Sequence, residues 1–242
     1  MRPNEPEWTL NTVNAALEAD TRLDVDGLSL ELDPDRRVLR LEGTVSDIRR
    51  KRLACNVVRG AIKDAYRIED RLHVEVTSEG QLQMRDEVVR SLAMEGMFAE
   101  HTVVVEADGH RETVHQGQQD AGAIEIRIED GVVTLMGQVV SHGHRSFAEV
   151  LMWWLPGTSR VDNRIAVVPE EEFRDNDVTD VVRMVFEKDP LVHAAQLNVG
   201  TAGGVVELRG LVKSEEERRL AVFDTWYVPG VWEVVDHIEV QP

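Results

Sequence analysis

The sequence predicts an α+β fold of three tandem modules of the order α-β-β-α-β, each a three-stranded sheet covered by two helices on one face. An apolar strand containing a glycine occurs three times in the chain, and a second apolar strand follows each copy. The interval from the glycine to an Asp or Asn in the second strand is always 26 or 27 residues. Such a constant interval indicates internal repetition rather than one large domain.

The first strand of each copy alternates apolar and polar residues, which predicts a strand with one buried and one solvated face. Its three copies are Val38–Val45, Val132–Val139 and Val205–Val212. The alternating stretch Leu28–Leu32 and the turn residues Asp33–Arg36 precede the first copy and predict a hairpin with it. Each copy carries a glycine near its end, and two further glycines follow prolines after the second and third helical stretches. We assign all five to structural turns: Gly43, Gly137, Gly157, Gly210 and Gly230.

Helical patterns fill the intervals between these strands. Leu10, Val13 and Leu17 lie on one face of a first helix. The third copy opens with the fullest stripe, formed by Val178, Val181, Val182, Val185 and Phe186. Two later helices carry apolar residues at equal distances from the repeat glycine: Phe147, Val150 and Trp154 in the second copy, and Leu220, Phe223 and Tyr227 in the third. We expect these equivalent residues to face the core.

These motifs resemble the BON family, named for bacterial osmotic-stress and nodulation proteins. The family pattern is a V-x-L-x-G-x-V strand, a helix, a Pro-Gly-Val turn and a V-x-N/D-x-L/I-x-V strand. Pro229–Val231 matches the turn fully, Pro156 and Gly157 match it in part, and the first copy has Lys63 and Asp64 there. The resemblance implies small modules without catalytic residues, and an association with envelope stress and phospholipid surfaces.

The repeat places the modules at residues 8–77, 84–169 and 176–241. In the second module Val88, Val89, Leu92 and Ala93 predict the opening helix. An insert at 99–122 then precedes the first strand, and its pattern is compatible with an elongated hairpin or a flexible loop.

Composition limits the classes of partner. The net charge is −18, and residues 170–242 hold 7 basic against 16 acidic residues. Such a charge repels nucleic acid and anionic bilayers at long range. No signal peptide or membrane-spanning run is present in the sequence, so we expect a cytoplasmic protein for which peripheral membrane association remains open.

A basic run opens the helix after Ser46 and is formed by Arg49, Arg50, Lys51 and Arg52. This run is compatible with an acidic partner or a lipid headgroup, and equally with a solvated face balanced by nearby aspartates. We include all four residues in the candidate interaction surface.

Adjacent aromatic residues complete that surface. Adjacent helical residues point about 100° apart, so Trp153 and Trp226 should leave the core face that Trp154 and Tyr227 occupy. Trp232 follows the Pro-Gly turn. Aromatic side chains of this kind suit packing between modules, self-association or an external ligand.

The sequence offers no recognisable catalytic, cofactor or metal site. His101, His110, His115, His142 and His144 match no zinc spacing and are expected to be solvated loop residues. Cys55 is the only cysteine and is expected to be a small buried apolar residue. Nucleophile, metal-hydrolase and phosphate-loop motifs are absent from the sequence.

We therefore expect a non-enzymatic binding or structural protein that makes protein–protein or self-association contacts in stress or envelope processes. The alternative is peripheral phospholipid binding through the basic helix and exposed tryptophans. No small-molecule substrate, cofactor or nucleic-acid partner is expected.

Overall fold

The computed structural model describes residues 5–63, 65–76, 95–107, 109–118 and 122–241. The chain divides into two compact units, Met1–Glu75 and Val76–Pro242. The described residues form an α+β protein with three sheets. None of the helices in these ranges is both long and apolar enough to cross a bilayer.

The first unit follows the predicted α-β-β-α-β order. Its elements are α1 (Glu5–Ala19), β1 (Leu28–Asp33), β2 (Val38–Val45), α2 (Ile48–Ile62) and β3 (Arg67–Val74). Strand β1 pairs with β2 in antiparallel register, which confirms the predicted hairpin, and β2 pairs with β3 in parallel register. Val13 and Leu17 of α1 pack into the same core as Leu39, Leu41 and Leu72 of the sheet.

The second unit contains two sheets. The elements up to the linker are β4 (Thr102–Ala107), β5 (His110–His115), β6 (Ala123–Glu129), β7 (Val132–Val139), α3 (His142–Trp153), β8 (Arg160–Asn163) and β9 (Ala166–Val167). The remaining elements are α4 (Asp175–Lys188), β10 (Leu197–Ala202), β11 (Val205–Val212), α5 (Glu215–Tyr227) and β12 (Glu233–Val240). Short 3₁₀ helices occupy Gly96–Phe98 and Ala194–Gln196.

The β10-β11-β12 sheet repeats the pairing of the first, antiparallel and then parallel. Side chains alternate across a strand, so Val206 and Leu208 are buried beneath the helices while Arg209 faces solvent on the other side. All five residues of the predicted α4 stripe are buried.

The second sheet has six strands, where three were predicted. The region of the predicted insert supplies β4 and β5, which form an antiparallel hairpin. Strand β4 also pairs in parallel with β6 and so extends the sheet beyond it. The extension forms because β4 alternates buried Val103, Val105 and Ala107 with half-buried residues and thus suits a strand that is paired on both sides, with β5 at the sheet edge. The helix predicted around Val88–Ala93 lies outside the described residues.

Each repeat glycine sits inside its strand rather than at a turn. Gly43, Gly137 and Gly210 have φ values of 134°, 123° and 144°, a region that other residues rarely adopt. A Cβ atom on any of the three would lie 2.0 Å from a carbonyl oxygen of the neighbouring segment. The repeated glycine therefore permits a close backbone approach between paired strands.

A polar side chain on the last strand ties that strand to the preceding helix. Asp70 Oδ1 accepts bonds from the Leu72 amide at 2.9 Å and from Lys51 Nζ at 2.6 Å. Asp236 accepts from the Ile238 amide at 2.9 Å and from Arg218 Nε at 2.8 Å.

The same connection occurs after β7 with different chemistry. Asn163 Oδ1 accepts from the Ile165 amide at 3.2 Å, and its Nδ2 donates to the Arg145 carbonyl at 2.9 Å. The three basic residues, Lys51, Arg145 and Arg218, each stand eight residues after the repeat glycine. We call these three pairs, Lys51–Asp70, Arg145–Asn163 and Arg218–Asp236, the strand-to-helix clasps.

Replacing Gly210 by Ala should lower the free energy of unfolding by about 2 kcal/mol or more, because the added Cβ meets the Gln196 carbonyl oxygen and the backbone is strained. Thermal unfolding followed by circular dichroism measures the effect. Gly200→Ala is the matched control in the paired strand, where the added atom meets nothing within 4 Å. Equal stability of the two variants would contradict the constraint.

Asp70→Ala should destabilise the first unit by about 3 kcal/mol, because it leaves the Lys51 ammonium, 3% exposed, without its charged partner. Amide hydrogen exchange in α2 and β3 reports this unit separately from the rest of the chain. Glu31→Ala removes a solvent-exposed ion pair with Arg40 and should cost less than about 1 kcal/mol. A cost for Asp70→Ala no larger than this control would rule out the clasp as a stabilising contact.

Candidate interaction surface

The predicted basic run is divided between surface and core. Arg49 is exposed, Arg50 bonds to Asp47 and Ser46, and Arg52 is half-buried. Lys51 is 2% exposed, and its ammonium lies in the first clasp. The inclusion of Lys51 in the interaction surface was therefore wrong, because its position on the inner face of α2 puts it over β3.

Two of the three predicted tryptophans are also interior. Trp153 is 6% and Trp226 4% exposed, whereas Trp232 is 41% exposed. Helices α3 and α5 pack against their sheets and also against α4, so the arc that each buries is wider than one apolar stripe. Phe223, expected in the core, is exposed on the opposite side of α5 and meets Tyr227 edge-on at a centroid distance of 5.3 Å.

An exposed aromatic surface remains at one end of the third sheet, formed by Phe173 and Trp232 beside the turn at Gly230. Phe173 is 40% exposed. A Cβ on Gly230 would lie 2.6 Å from Phe173 Cε1, and a Cβ on Gly204 would lie 2.7 Å from Trp232 Cδ1. Both turns need glycine at these places, because any side chain would displace an aromatic ring.

Hydrogen bonds fix the backbone under these rings. The Trp232 amide donates to the Gly204 carbonyl at 2.8 Å. The Asp175 carboxylate accepts from the amides of Gly203 and Gly204 at 2.7 and 2.9 Å, which holds the hairpin turn against the start of α4. These hydrogen bonds hold the backbone next to the aromatic surface in one conformation.

The acidic linker before α4 is anchored in the same way. The ring of His142 contacts the Glu171 carbonyl through Nε2 at 2.8 Å and meets Phe173 edge-on at a centroid distance of 5.2 Å. Phe173 was not singled out from the sequence. It is the one apolar residue between Glu170 and Asp177. An isolated aromatic residue in a charged linker was the sequence feature that could have identified it as a surface contact.

The charge around the aromatic surface is negative. Glu171, Glu172 and Glu233 are exposed, and Arg174 is bonded to Glu172 at 3.3 Å. Helix α5 ends beside the Gly230 turn without a basic residue in its last turn, so the partial negative charge of its C-terminus is not offset there.

Two acidic residues on α5, Glu217 and Asp224, are buried. Glu217 accepts from the amides of His193 and Lys213 at 2.9 and 3.0 Å and contacts His193 Nδ1 at 2.7 Å. Burial alone would raise the pKa of Glu217, but these donors outweigh burial and lower it. The carboxylate therefore fastens the segment after α4 to α5.

Asp224 lies two helical turns after Glu217 on the same face of α5 and is 5% exposed. Burial, and then hydrogen bonding and repulsion with Asp189, raise the pKa of Asp224 to about 8. Its Oδ2 atom is buried and has no hydrogen-bond partner in the described structure. At neutral pH the proton on Asp224 allows the two carboxyl groups to bond.

The histidines do not converge into a metal site. Groups of three or more His, Cys, Asp or Glu suited to a metal ion are absent from the described part of the chain. The expectation that all five histidines are solvated was wrong for His101 and His142, which are both buried. His101 meets Phe98 and His144 at centroid distances of 6.1 and 5.9 Å. Burial lowers the pKa of His101.

Cys55 is buried, as the helical pattern predicts. Burial, and then the nearby Asp70 carboxylate, raise the pKa of its thiol to about 12. A thiol that stays protonated is a poor nucleophile and metal ligand, so the residue acts as packing in the first unit.

Comparison with known proteins gives one family and several distant likenesses. A family model described as the BON domain matches residues 110–169 and 174–242, just over half of the chain. An Anaplasma centrale protein named "Uncharacterized protein in gshII 5'region" is 27% identical over 124 residues, which cover 49% of this chain and 82% of that protein.

Solved structures of CdsD, a structural protein of the type III secretion system of Chlamydia trachomatis, also match. One covers 96% of this chain and 97% of the other at 11% identity, and a second covers 96% and 92% at 14% identity. Both have a TM-score of 0.26, so no conclusion about function is drawn from them.

Asp224→Asn should make the protein less sensitive to alkaline pH. The folded-state pKa of about 8 lies above the ordinary value of 3.8, so the wild-type fold loses stability as pH rises between these two values, and this loss reaches its full size above pH 8. The difference in Tm between Asp224→Asn and wild type should therefore grow from pH 5 to pH 9. Asp180→Asn, an exposed site on α4, should leave the pH profile unchanged. A constant difference across this range would contradict the raised pKa.

Proposed function

Because this chain belongs to the BON domain family, we propose that it is a non-enzymatic binding and structural protein that holds a protein partner on the exposed aromatic surface of its third module. The observation that carries the proposal is the pair Phe173 and Trp232, exposed on a hydrogen-bonded frame beside Gly230. Amphipathic rings on a preordered backbone lose little conformational freedom on binding, which suits a protein interface.

The three-module division, residues 8–77, 84–169 and 176–241, is part of this proposal. Its support is the glycine in β2, β7 and β11 with the same positive φ, and the clasp that recurs eight residues after each glycine. The polar groups that could have served chemistry have structural partners instead: Lys51 bonds to Asp70, and Glu217 to backbone amides. This use of the polar groups supports a binding role.

The phospholipid alternative loses part of its basis at the basic run. Lys51 is occupied in the first clasp, and Arg50 is paired with Asp47. Each basic residue near an anionic surface contributes about 1 kcal/mol, so the residues left at the surface offer little against a net charge of −18. A role in envelope stress stays a prediction from the family resemblance.

Co-sedimentation of the full chain with vesicles of phosphatidylcholine and rising fractions of phosphatidylglycerol tests the choice between protein and lipid. We expect the protein to remain in the supernatant at every composition, even at low salt where attraction is strongest. Sedimentation that Arg49→Ala/Arg50→Ala abolishes, and that the control Arg36→Ala/Arg67→Ala retains, would replace the proposal by the lipid alternative.

A further inference from the structure

The aromatic surface combines two kinds of group that recognise cations. Phe173 and Trp232 are 40% and 41% exposed and flank one turn. An aromatic ring face attracts an ammonium or guanidinium group placed within about 6 Å of its centre. The Trp232 amide is hydrogen-bonded to the Gly204 carbonyl, and the Phe173 ring packs against His142 and the Gly230 turn, so the two rings form an ordered platform for such a group.

The charges beside this platform reinforce the attraction. Glu171, Glu172 and Glu233 are exposed around it, and α5 ends there with no basic residue in its last turn. Arg174 is also exposed nearby and pairs with Glu172 at 3.3 Å, which partly offsets that carboxylate and leaves the charges of Glu171 and Glu233. A carboxylate can accept two parallel hydrogen bonds from one guanidinium, so the surface offers both stacking and ion pairing to an arginine side chain.

The same charges argue against other occupants. Nucleic acid and anionic bilayers are repelled by a chain of net charge −18. A second copy of this acidic chain is repelled as a whole, and in its longest basic run Lys51 lies in a clasp and Arg50 is paired with Asp47, so it fits less well than a basic segment. The remaining class with complementary charge is a basic polypeptide segment.

We propose that the surface formed by Phe173, Trp232, Glu171, Glu172 and Glu233 binds a lysine- or arginine-rich segment of a protein partner. This inference rests on the proposed function and specifies the chemistry of the partner. The rings supply cation–π and apolar contact, and the carboxylates supply ion pairs that weaken with added salt.

Fluorescence anisotropy of a labelled hepta-arginine peptide, titrated with the full chain at low and high salt, tests the inference. Hepta-glutamate is the negative probe. We expect binding of hepta-arginine alone, and an affinity that falls at least about tenfold as the salt concentration rises.

Two sets of variants locate the site. Glu171→Gln/Glu172→Gln/Glu233→Gln should weaken binding about tenfold. The control Glu187→Gln/Glu215→Gln/Glu216→Gln removes the same net charge from exposed positions at the opposite ends of α4 and α5, and should change affinity less than about twofold because distant charges are screened. Phe173→Leu/Trp232→Leu should weaken binding roughly five- to tenfold, whereas Trp8→Leu, at another exposed tryptophan, should not.

No binding of hepta-arginine, an equal loss in the two glutamine variants, or full affinity in the leucine variant would each overturn the inference. Circular dichroism checks that the leucine variant folds, and the exposed glutamine substitutions test the site independently of the rings. If the chain binds neither hepta-arginine nor anionic vesicles, the inference of a basic segment is wrong, while the proposal of a protein partner is not contradicted.

Discussion

The fold depends on a polar connection between the last strand of each repeat and the helix before it, and this connection is most deeply buried in the first unit. In the first unit Asp70 holds both the Leu72 amide and the Lys51 ammonium. Burial is the largest single influence on the pKa of Asp70 and raises it, but the Lys51 charge together with the hydrogen bonds from Lys51 and the Leu72 amide outweighs burial and lowers the pKa. A charge of this kind is tolerated only when it is paired, so the side chain fixes one register between helix and sheet.

The three connections reach the same geometry with different groups. In two of them a lysine or arginine side chain donates to an aspartate carboxylate. In the other, the Asn163 side-chain amide donates to the Arg145 backbone carbonyl. What the repeats share is therefore a position on the helix and a position on the strand.

The packing of α4 against both α3 and α5 decides which aromatic residues remain available. These contacts bury Trp153 and Trp226 and leave Phe173 and Trp232 at the end of the third sheet. The same packing encloses Asp224 beside Asp189 and turns Glu217 towards the segment after α4. Internal contacts thus use several polar and aromatic groups that a sequence pattern would assign to the surface.

By itself the sequence determined the α+β class, the hairpin in the first unit, the stripe on α4 and the glycine in each repeat strand, because periodicity and backbone permissiveness are local properties. Tertiary structure alone decided that Lys51 is interior, that Trp226 is buried and Phe223 exposed, and that β4 extends the second sheet. These outcomes depend on how many neighbours surround each helix or strand edge. A helical stripe specifies one buried face, and a second neighbouring helix widens that face in a way that spacing along the chain does not encode.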